Sequence, residues 1–258
     1  MLNIKIAFFD VDGTLVAFEE NDMHETVKNA LLTLQKNGIK LFLATGRPPC
    51  LVPQFPGFSF DGVLSYNGGF SYSGDTVIYR NPIPEEDVRR VVENAKKDGH
   101  EALLATEDIY GSSAYEQVLE DYMMFAGEGC HPTDQFDSLM KRNIYQIMVG
   151  VTADKDEQML EGTSSIKAVR WWERAVDIIP KNSGKATAIE KILEYYGFSR
   201  EECIAFGDGG NDLEMIEYAG TGVAMGNGVD EVKSAADYVT DTCMDDGVVT
   251  ALRHFGLL

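Results

Sequence analysis

The alternation of short apolar runs with helical stretches constrains the fold of this chain more than any other feature. The first apolar run, Ile4–Phe9, is rich in Ile and Phe and predicts a buried strand. A helical stretch, Thr26–Asn37, follows it and leads to a second buried strand, Ile39–Ala44. A strand, a helix and a strand at this spacing form a βαβ unit, which implies a parallel sheet with a right-handed crossover. The predicted fold class is therefore α/β.

This alternation is interrupted in the middle of the chain and resumes towards its end. Segments rich in proline, asparagine and glycine lie on both sides of the interruption. Between them the pattern predicts two helices over an open antiparallel sheet, which is an α+β arrangement. We therefore predict a discontinuous α/β core with a parallel sheet, made of residues 1–81 and 182–258, and an inserted α+β domain at residues 82–181.

The charge and the cysteines exclude several classes of protein. The 258 residues include 22 Lys and Arg against 42 Asp and Glu, a net charge of −20, which argues against nucleic-acid and anionic-membrane partners. Four scattered cysteines, no signal peptide and no apolar stretch of about 18 residues favour a cytoplasmic protein with free thiols. The same charge would repel an anionic substrate unless local groups reverse its sign. The sequence predicts no oligomeric state.

A pair of aspartates follows the first predicted strand. Asp10 and Asp12 lie at its carboxyl end, where open α/β sheets form their binding sites. Alternation along an extended chain would put both carboxylates on one side, where they repel each other unless they share a proton or a cation. One could then act as an ionised nucleophile and the other as a proton donor and acceptor. A solvated turn or a helix cap is the alternative interpretation.

Two further strand ends carry groups that suit a phosphate. Thr45, Gly46 and Arg47 end the second strand, and a hydroxyl with backbone N–H groups at a helix start can bind phosphate oxygens. Asn67 and two glycines end a third predicted strand, where the glycines would let the backbone approach a ligand closely. Both segments could equally be ordinary turns.

The resumed α/β part begins with a lysine and contains a second acidic turn. Lys185 is the first residue of a predicted helix, where its charge interacts unfavourably with the helix dipole, so a purely solvent-exposed role is disfavoured. The alternative is a functional cation that contacts a carboxylate and a phosphate. Lys181 competes for this role, and spacing alone does not choose between them. Asp208 and Asp212 lie in a glycine-rich turn after the predicted strand Cys203–Phe206. Such a turn suits Mg²⁺, which prefers carboxylate oxygens, or it is a loop with helix-capping residues.

Together these segments resemble the haloacid dehalogenase superfamily of phosphohydrolases, and within it the Cof-type branch, over essentially the whole chain. The segments that carry the resemblance are Asp10–Leu15, Thr45–Pro48, Asn67–Gly69, Lys185, Gly207–Asp212 and Val223–Asn227. The resemblance implies a Rossmann-like catalytic core and an inserted α/β cap domain that selects the substrate. It also implies a Mg²⁺-dependent phosphatase for small phosphorylated metabolites, with sugar phosphates as the expected class.

The resemblance further implies a role for each matching residue. Asp10 corresponds to the nucleophile that takes up the phosphoryl group, and Asp12 to the general acid and base. The Mg²⁺ site corresponds to Asp10, Asp208 and the main-chain carbonyl of Asp12, and it is Lys185 rather than Lys181 that falls at the motif position. The phosphate-binding set is Thr45, Gly46, Arg47, Asn67, Lys185 and Asn211, and Asp212 corresponds to the residue that orients Lys185 or a metal-bound water.

The inserted domain and the reaction outcome leave alternatives open. Arg170, Trp171, Trp172 and Glu173 form a candidate specificity cluster, since a Trp face suits a sugar ring and Arg or Glu suits hydroxyl groups. An aromatic strand in the core of that domain, with its charges solvated, is the alternative. A phosphomutase that shares the aspartyl-phosphate step is a second candidate function. A third is a catalytically silent regulator that binds a phosphorylated metabolite.

Overall fold

The chain folds into two sheets with helices packed on them. The computed structural model describes residues 3–17, 20, 22–125 and 127–258. In this part of the chain the strands are β1 Ile6–Phe9, β2 Lys40–Ala44, β3 Gly62–Ser65, β4 Phe70–Ser73, β5 Thr76–Arg80, β6 Ala102–Ala105, β7 Tyr110–Ser112, β8 Gln146–Val149, β9 Ile166–Trp172, β10 Ala175–Pro180, β11 Cys203–Gly207, β12 Thr221–Ala224 and β13 Tyr238–Val239. The helices are α1 Glu25–Lys36, α2 Glu85–Asp98, α3 Gln117–Met124, α4 Phe136–Leu139, α5 Asp156–Met159, α6 Lys185–Tyr196, α7 Leu213–Tyr218, α8 Asp230–Ala235 and α9 Gly247–His254.

The larger sheet has the order β13-β12-β11-β1-β2-β3-β4-β5. From β13 to β3 the neighbouring strands are parallel, and β4 turns back antiparallel to β3. This arrangement, with helices packed on both faces, confirms the predicted α/β class and the βαβ unit at the start of the chain. Because the central strands are parallel, the loops that follow them all emerge at one edge of the sheet.

The apolar runs of the central strands are continuous because both faces of the sheet are covered. Along β1, Phe9 points into a core formed with α1 and α9, whereas Phe8 points into a second core formed with α6 and α7. Phe9 stacks on Phe206 of the neighbouring strand, with ring centroids 4.8 Å apart. Burial of both faces therefore fixes the position of β1, and with it the position of Asp10, which directly follows this strand.

The smaller sheet is antiparallel and has the order β7-β6-β8-β10-β9. Val176 and Ile178 of β10 belong to a core formed with α2, α4 and α5. Asp177, which lies between them and points to the other face, accepts a hydrogen bond from the Tyr122 hydroxyl of α3 at 2.7 Å. The predicted antiparallel sheet with two helices is confirmed, and α2 and α3 lie on opposite faces of it.

The chain divides into two compact units. The first comprises Met1–Arg47, Val52–Tyr79 and Gly184–Leu258, and the second comprises Pro48–Leu51 and Arg80–Ser183. The sequence pattern assigns Pro48–Leu51 to the core, whereas the structure groups this segment with the second unit. The division into a catalytic core and an inserted substrate-selecting domain stays a prediction about function.

Two elements of the second unit have no signal in the sequence pattern. Strand β7 has three residues and helix α4 has four, which is too short for either a two-residue or a 3.6-residue period to be recognised. The four cysteines are free thiols, as predicted. Within the described residues, no helix combines the length and the apolar character that crossing a bilayer requires.

Candidate active site

The candidate site lies in the first unit, at the edge where the parallel strands end. Asp10 follows β1, Thr45 follows β2, and Asp208 follows β11. The first residue of α6, Lys185, reaches the same edge, because its side chain contacts Asp10. Side chains that are widely separated along the chain therefore meet at one place.

A buried lysine occupies the centre of this site. Lys185 is 1% exposed, and its Nζ donates hydrogen bonds of 2.6 Å to Oδ1 of Asp10 and of 2.6 Å to Oδ1 of Asp212. Burial by itself lowers the pKa of Lys185, but attraction to the two carboxylates outweighs burial and raises the pKa above its ordinary value. Lys185 is therefore a permanent cation, and the competing Lys181 is exposed and bonds to the Ser164 carbonyl instead.

Asp212 links this lysine to the second acidic turn. While its Oδ1 accepts from Lys185, its Oδ2 accepts from the backbone N–H groups of Asp208 at 3.0 Å and Gly209 at 2.9 Å. The carboxylate of Asp212 thus has charged or N–H donors on both oxygens. It orients the ammonium group and holds the turn that carries Asp208.

Asp208 lies against the turn that follows β1. Its Oδ1 accepts a 2.9 Å hydrogen bond from the buried hydroxyl of Thr14. Gly13 has a φ of +87°, and a Cβ at this position would lie 2.3 Å from Oδ2 of Asp208, so only glycine permits this approach. Burial raises the pKa of Asp208 to about 6, the nearby Asp212 raises it as well, and the Thr14 hydrogen bond opposes the rise.

Three of these carboxylates form a cluster that fits a divalent cation. Asp10, Asp208 and Asp212 are buried, and each offers an oxygen within 4.8 Å of the others. Three carboxylates and one ammonium leave a formal charge of −2, which a divalent cation would neutralise. Burial raises the pKa of Asp10 well above its ordinary value, and repulsion from Asp212 adds to this while Lys185 opposes it. Carboxylate oxygens are also the ligands that Mg²⁺ prefers.

Asp12 is directed to a different partner. Its carboxylate accepts two hydrogen bonds from the Arg47 guanidinium, from Nη2 at 2.7 Å and from Nε at 3.1 Å. The sequence predicts that Asp10 and Asp12 relieve their repulsion by sharing a proton or a cation. In the structure each has its own cation instead, Lys185 for Asp10 and Arg47 for Asp12, and Arg47 is thereby paired with a carboxylate.

The ends of β2 and β3 form the polar border of the site. Thr45 is 2% exposed, its hydroxyl accepts from the Arg47 N–H at 3.1 Å, and its carbonyl accepts from the Asn67 N–H at 3.1 Å. Asn67 adopts the left-handed conformation with a φ of +49°, which Asn tolerates better than most residues. Its side-chain oxygen accepts a 3.1 Å hydrogen bond from Asn211, and a Cβ at Gly46 would lie 3.1 Å from its nitrogen.

The candidate specificity residues lie in the second unit. Nη1 of Arg170 donates to the backbone carbonyls of Val151 at 2.9 Å and Ala175 at 2.7 Å, and Nη2 donates to Asp156. Because the guanidinium group already donates to these backbone carbonyls and to Asp156, the structure does not support the prediction that Arg170 binds substrate hydroxyl groups. The side chain of Trp171 lies outside the described part of the structure.

Two residues of the site have no assigned role in the sequence interpretation. Thr14 donates to Asp208, and Asn227 donates to the carbonyl of Gly13 at 2.8 Å. Both lie inside segments that carry the family resemblance, and this position is the only feature of the sequence that could have indicated a role for them. Neither type of side chain indicates by itself that it bonds to a neighbour instead of a ligand.

The fold and the site define an α/β enzyme with an acidic, lysine-bearing site at the carboxyl edge of its parallel sheet. The chain matches the haloacid dehalogenase-like hydrolases over residues 7–252. YkrA of Bacillus subtilis strain 168, a protein named provisionally as a phosphatase, is 36% identical over 264 residues, with 100% of both chains covered. The 5-amino-6-(5-phospho-D-ribitylamino)uracil phosphatase YitU of the same bacterium is 29% identical over 266 residues and covers 95% of each chain.

A solved structure gives the same relationship. The sugar phosphatase BT4131, of subclass IIB, superposes with a TM-score of 0.87 at 31% identity, covering 98% of this chain and 100% of that chain. The chain therefore belongs to the haloacid dehalogenase-like hydrolase family, and it is a phosphatase of that family. Such phosphatases generally use a divalent metal ion and act on small phosphorylated molecules.

Replacing the central lysine should destabilise the fold strongly. Lys185→Met leaves the buried carboxylates of Asp10 and Asp212 without their cation, so we expect the free energy of unfolding in metal-free buffer to fall by about 3–5 kcal/mol. Urea denaturation measures this change. Lys181→Met, the exposed control, should change it by less than about 0.5 kcal/mol. Equal effects of the two variants would contradict the central position of Lys185.

Neutralising Asp208 should stabilise the metal-free protein in a pH-dependent manner. A pKa of about 6 in the folded protein, against an ordinary 3.8, penalises folding above pH 6 and has little effect below pH 4. We therefore expect Asp208→Asn to gain up to about 3 kcal/mol at pH 8 and to lose most of that gain at pH 4.

Urea denaturation in the presence of a chelator at both pH values measures this difference. Asp134→Asn removes a charge from an exposed residue of the second unit and should be neutral within about 0.5 kcal/mol at either pH. A loss of stability in Asp208→Asn at pH 8 would show that the carboxylate is held favourably in the metal-free fold.

Proposed function

We propose that the protein is a Mg²⁺-dependent phosphatase that hydrolyses small phosphorylated metabolites, with sugar phosphates as the substrate class. One observation carries the proposal: a fully buried Lys185 ammonium group lies between Asp10 and Asp212, 2.6 Å from each, beside the third carboxylate of Asp208. The positive ammonium group is complementary to a phosphate dianion, and the three carboxylates are complementary to a divalent cation. The likeness to a sugar phosphatase supports the substrate class.

Asp10 is the nucleophile in this proposal. Its hydrogen bond with Lys185 holds the carboxylate in one orientation at the end of β1. An oxygen of Asp10 attacks phosphorus, the bond from phosphorus to the leaving oxygen breaks, and an aspartyl-phosphate forms. In this proposal the Lys185 ammonium group stabilises the charge that develops on the equatorial oxygens.

Asp12 moves the proton in both halves of the reaction. It donates a proton to the leaving oxygen, and it later accepts one from the water that attacks the aspartyl-phosphate. The guanidinium of Arg47 occupies both oxygens of Asp12, so Arg47 has to release this carboxyl group before Asp12 can take up a proton from solvent and donate it. A substrate phosphate provides the competing partner for Arg47, and Thr45, Gly46, Asn67 and Asn211 complete the phosphate-binding set.

Mg²⁺ would be held by Asp10, Asp208 and the main-chain carbonyl of Asp12. When bound, it would neutralise phosphate charge and polarise the phosphoryl group. The residues of the chain prepare this site: Thr14 orients Asp208, and Asp212 holds the backbone of the same turn. In this proposal Asp212 is a positioning residue, because both of its oxygens accept hydrogen bonds from the protein.

The inserted residues 82–181 select the leaving group in this proposal. This role is supported by the separate sheet and apolar core of this part of the chain, because its residues can then be substituted without disturbing the acidic site. Water exclusion during the chemical step is the second task that such a domain can perform.

Asp10→Asn should abolish phosphate release. The amide is a poor nucleophile, so we expect a loss of about 10⁴-fold or more in kcat for every substrate. The assay measures inorganic phosphate released from a panel of sugar phosphates, with Mg²⁺ or with a chelator. Asp75→Asn, which removes a charge from an exposed residue of the first unit, should match the wild type.

Each other outcome of this panel has a definite meaning. Release that does not depend on Mg²⁺ would remove the metal from the proposal, and unchanged release by Asp10→Asn would remove the nucleophile. A product that stays phosphorylated at a new position would identify a mutase.

Asp12→Asn should separate the two halves of the reaction. With an alkyl phosphate we expect a loss of about 10²–10⁴-fold, because the leaving oxygen needs a proton. With p-nitrophenyl phosphate the leaving group needs none, so one equivalent of nitrophenol per enzyme should appear in a burst and slow turnover should follow. Rapid-mixing absorbance measures the burst. Undiminished steady turnover of both substrates would exclude Asp12 as the acid and base.

A further inference from the structure

The proposed function gives no role to the segment Val223–Asn227, which comprises the end of β12 and the start of the loop that follows it. This loop leaves the same edge of the sheet as the acidic turns. Asn227 is an exposed residue, so packing in the apolar core does not explain why an asparagine stands at this position. Its hydrogen bonds do.

The amide of Asn227 joins two parts of the first unit. Its Nδ2 donates to the carbonyl of Gly13 at 2.8 Å, and its Oδ1 accepts from the N–H of Cys243 at 2.8 Å. An amide donates and accepts at once, whereas a carboxylate only accepts and an apolar side chain does neither. The turn that follows Asp12 is therefore fastened to the segment that precedes α9.

The backbone of the same loop holds the turn that carries Asp208. The N–H of Met225 donates to the Gly207 carbonyl at 3.0 Å, and the N–H of Val229 donates to the Asp208 carbonyl at 2.9 Å. Residues 225–229 therefore contact both acidic turns, one through backbone hydrogen bonds and the other through the side chain of Asn227.

The contact with Gly13 bears directly on Asp208. Gly13 adopts a left-handed conformation and lies against the Asp208 carboxylate, and the next residue, Thr14, donates to that carboxylate. If the Gly13 carbonyl were free, the peptide between Gly13 and Thr14 could rotate and withdraw this hydroxyl. The hydrogen bond from Asn227 opposes that rotation.

We propose that Asn227 is a positioning residue that sets the placement of the Asp10–Thr14 turn against Asp208, and thereby the affinity of the protein for a divalent cation. This inference rests on the proposed function, because it takes Asp10 and Asp208 as metal ligands. It adds a residue that contacts neither the metal nor the substrate.

The test measures cation binding by the full chain without substrate. Free Mn²⁺ is followed by electron paramagnetic resonance in titrations of the wild type, Asn227→Ala and Asn227→Asp. We expect both variants to bind Mn²⁺ about tenfold more weakly, the effect that loss of a residue supporting metal ligands usually has. In the phosphatase assay, the Mg²⁺ concentration for half-maximal activity should rise by a similar factor.

The aspartate variant separates positioning from charge. An added carboxylate by itself would tighten cation binding, so weaker binding by Asn227→Asp reports the lost hydrogen bond to Gly13. Asn94→Ala is the structural control, since Asn94 also joins two backbone segments, by donating to the carbonyls of Met159 and Glu161, but lies in the second unit. It should lower the melting temperature without changing Mn²⁺ affinity.

Two results would overturn different claims. If the wild type binds Mn²⁺ and the affinity of Asn227→Ala lies within twofold of the wild-type affinity, the role of Asn227 alone is overturned. A wild type that binds no Mn²⁺ and releases no phosphate would instead overturn the proposed function. If Asn227→Ala does not fold, Asn227→Asp decides the question, because equal or tighter binding by it is the overturning result.

Discussion

The candidate site depends on the burial of one ammonium group. Taking Lys185 out of water is costly unless carboxylates compensate, and two of them do so at 2.6 Å. Each of these carboxylates belongs to a different strand end, so the lysine can be satisfied only when β1, β11 and the start of α6 are all in place. Asp212 extends the same interaction to the turn of Asp208 through two backbone hydrogen bonds. The geometry of the whole acidic edge follows from this one pairing.

This arrangement also explains how a chain with a net charge of −20 can serve an anionic substrate. Part of the acidity is concentrated where a divalent cation is proposed to bind, and the two cations of the site, Lys185 and Arg47, are held in place by carboxylates. With the divalent cation bound the site is formally neutral, and a single phosphate meets Lys185, Arg47 and this cation locally, whereas an extended polyanion would meet the negative remainder of the surface. The charge therefore selects for small substrates in the proposed function.

Much of the fold and of the site could be predicted because the relevant signals are local in the sequence. The apolar runs of β1, β2 and β11 indicate strands, and the residues directly after a parallel strand must lie at its carboxyl edge. That reasoning brings Asp10, Thr45 and Asp208 to one side of the sheet, as the structure does. It does not reach β7 and α4, which are too short to have a period, or the distribution of α2 and α3 over both faces of the smaller sheet.

The sequence by itself determined which chemical groups stand at the strand ends, since strand positions follow from patterns within a few residues. Only the tertiary structure decided which groups pair. Lys185 and Asp10 are 175 residues apart, and Asp12 and Arg47 are 35 apart, so no local pattern couples them. The pairing of Asp12 with Arg47, the use of Arg170 on backbone carbonyls and the bridge made by Asn227 all depend on distances of a few ångströms between remote segments. Hydrogen bonds and ion pairs are short-ranged, and the sheet brings these segments within that range.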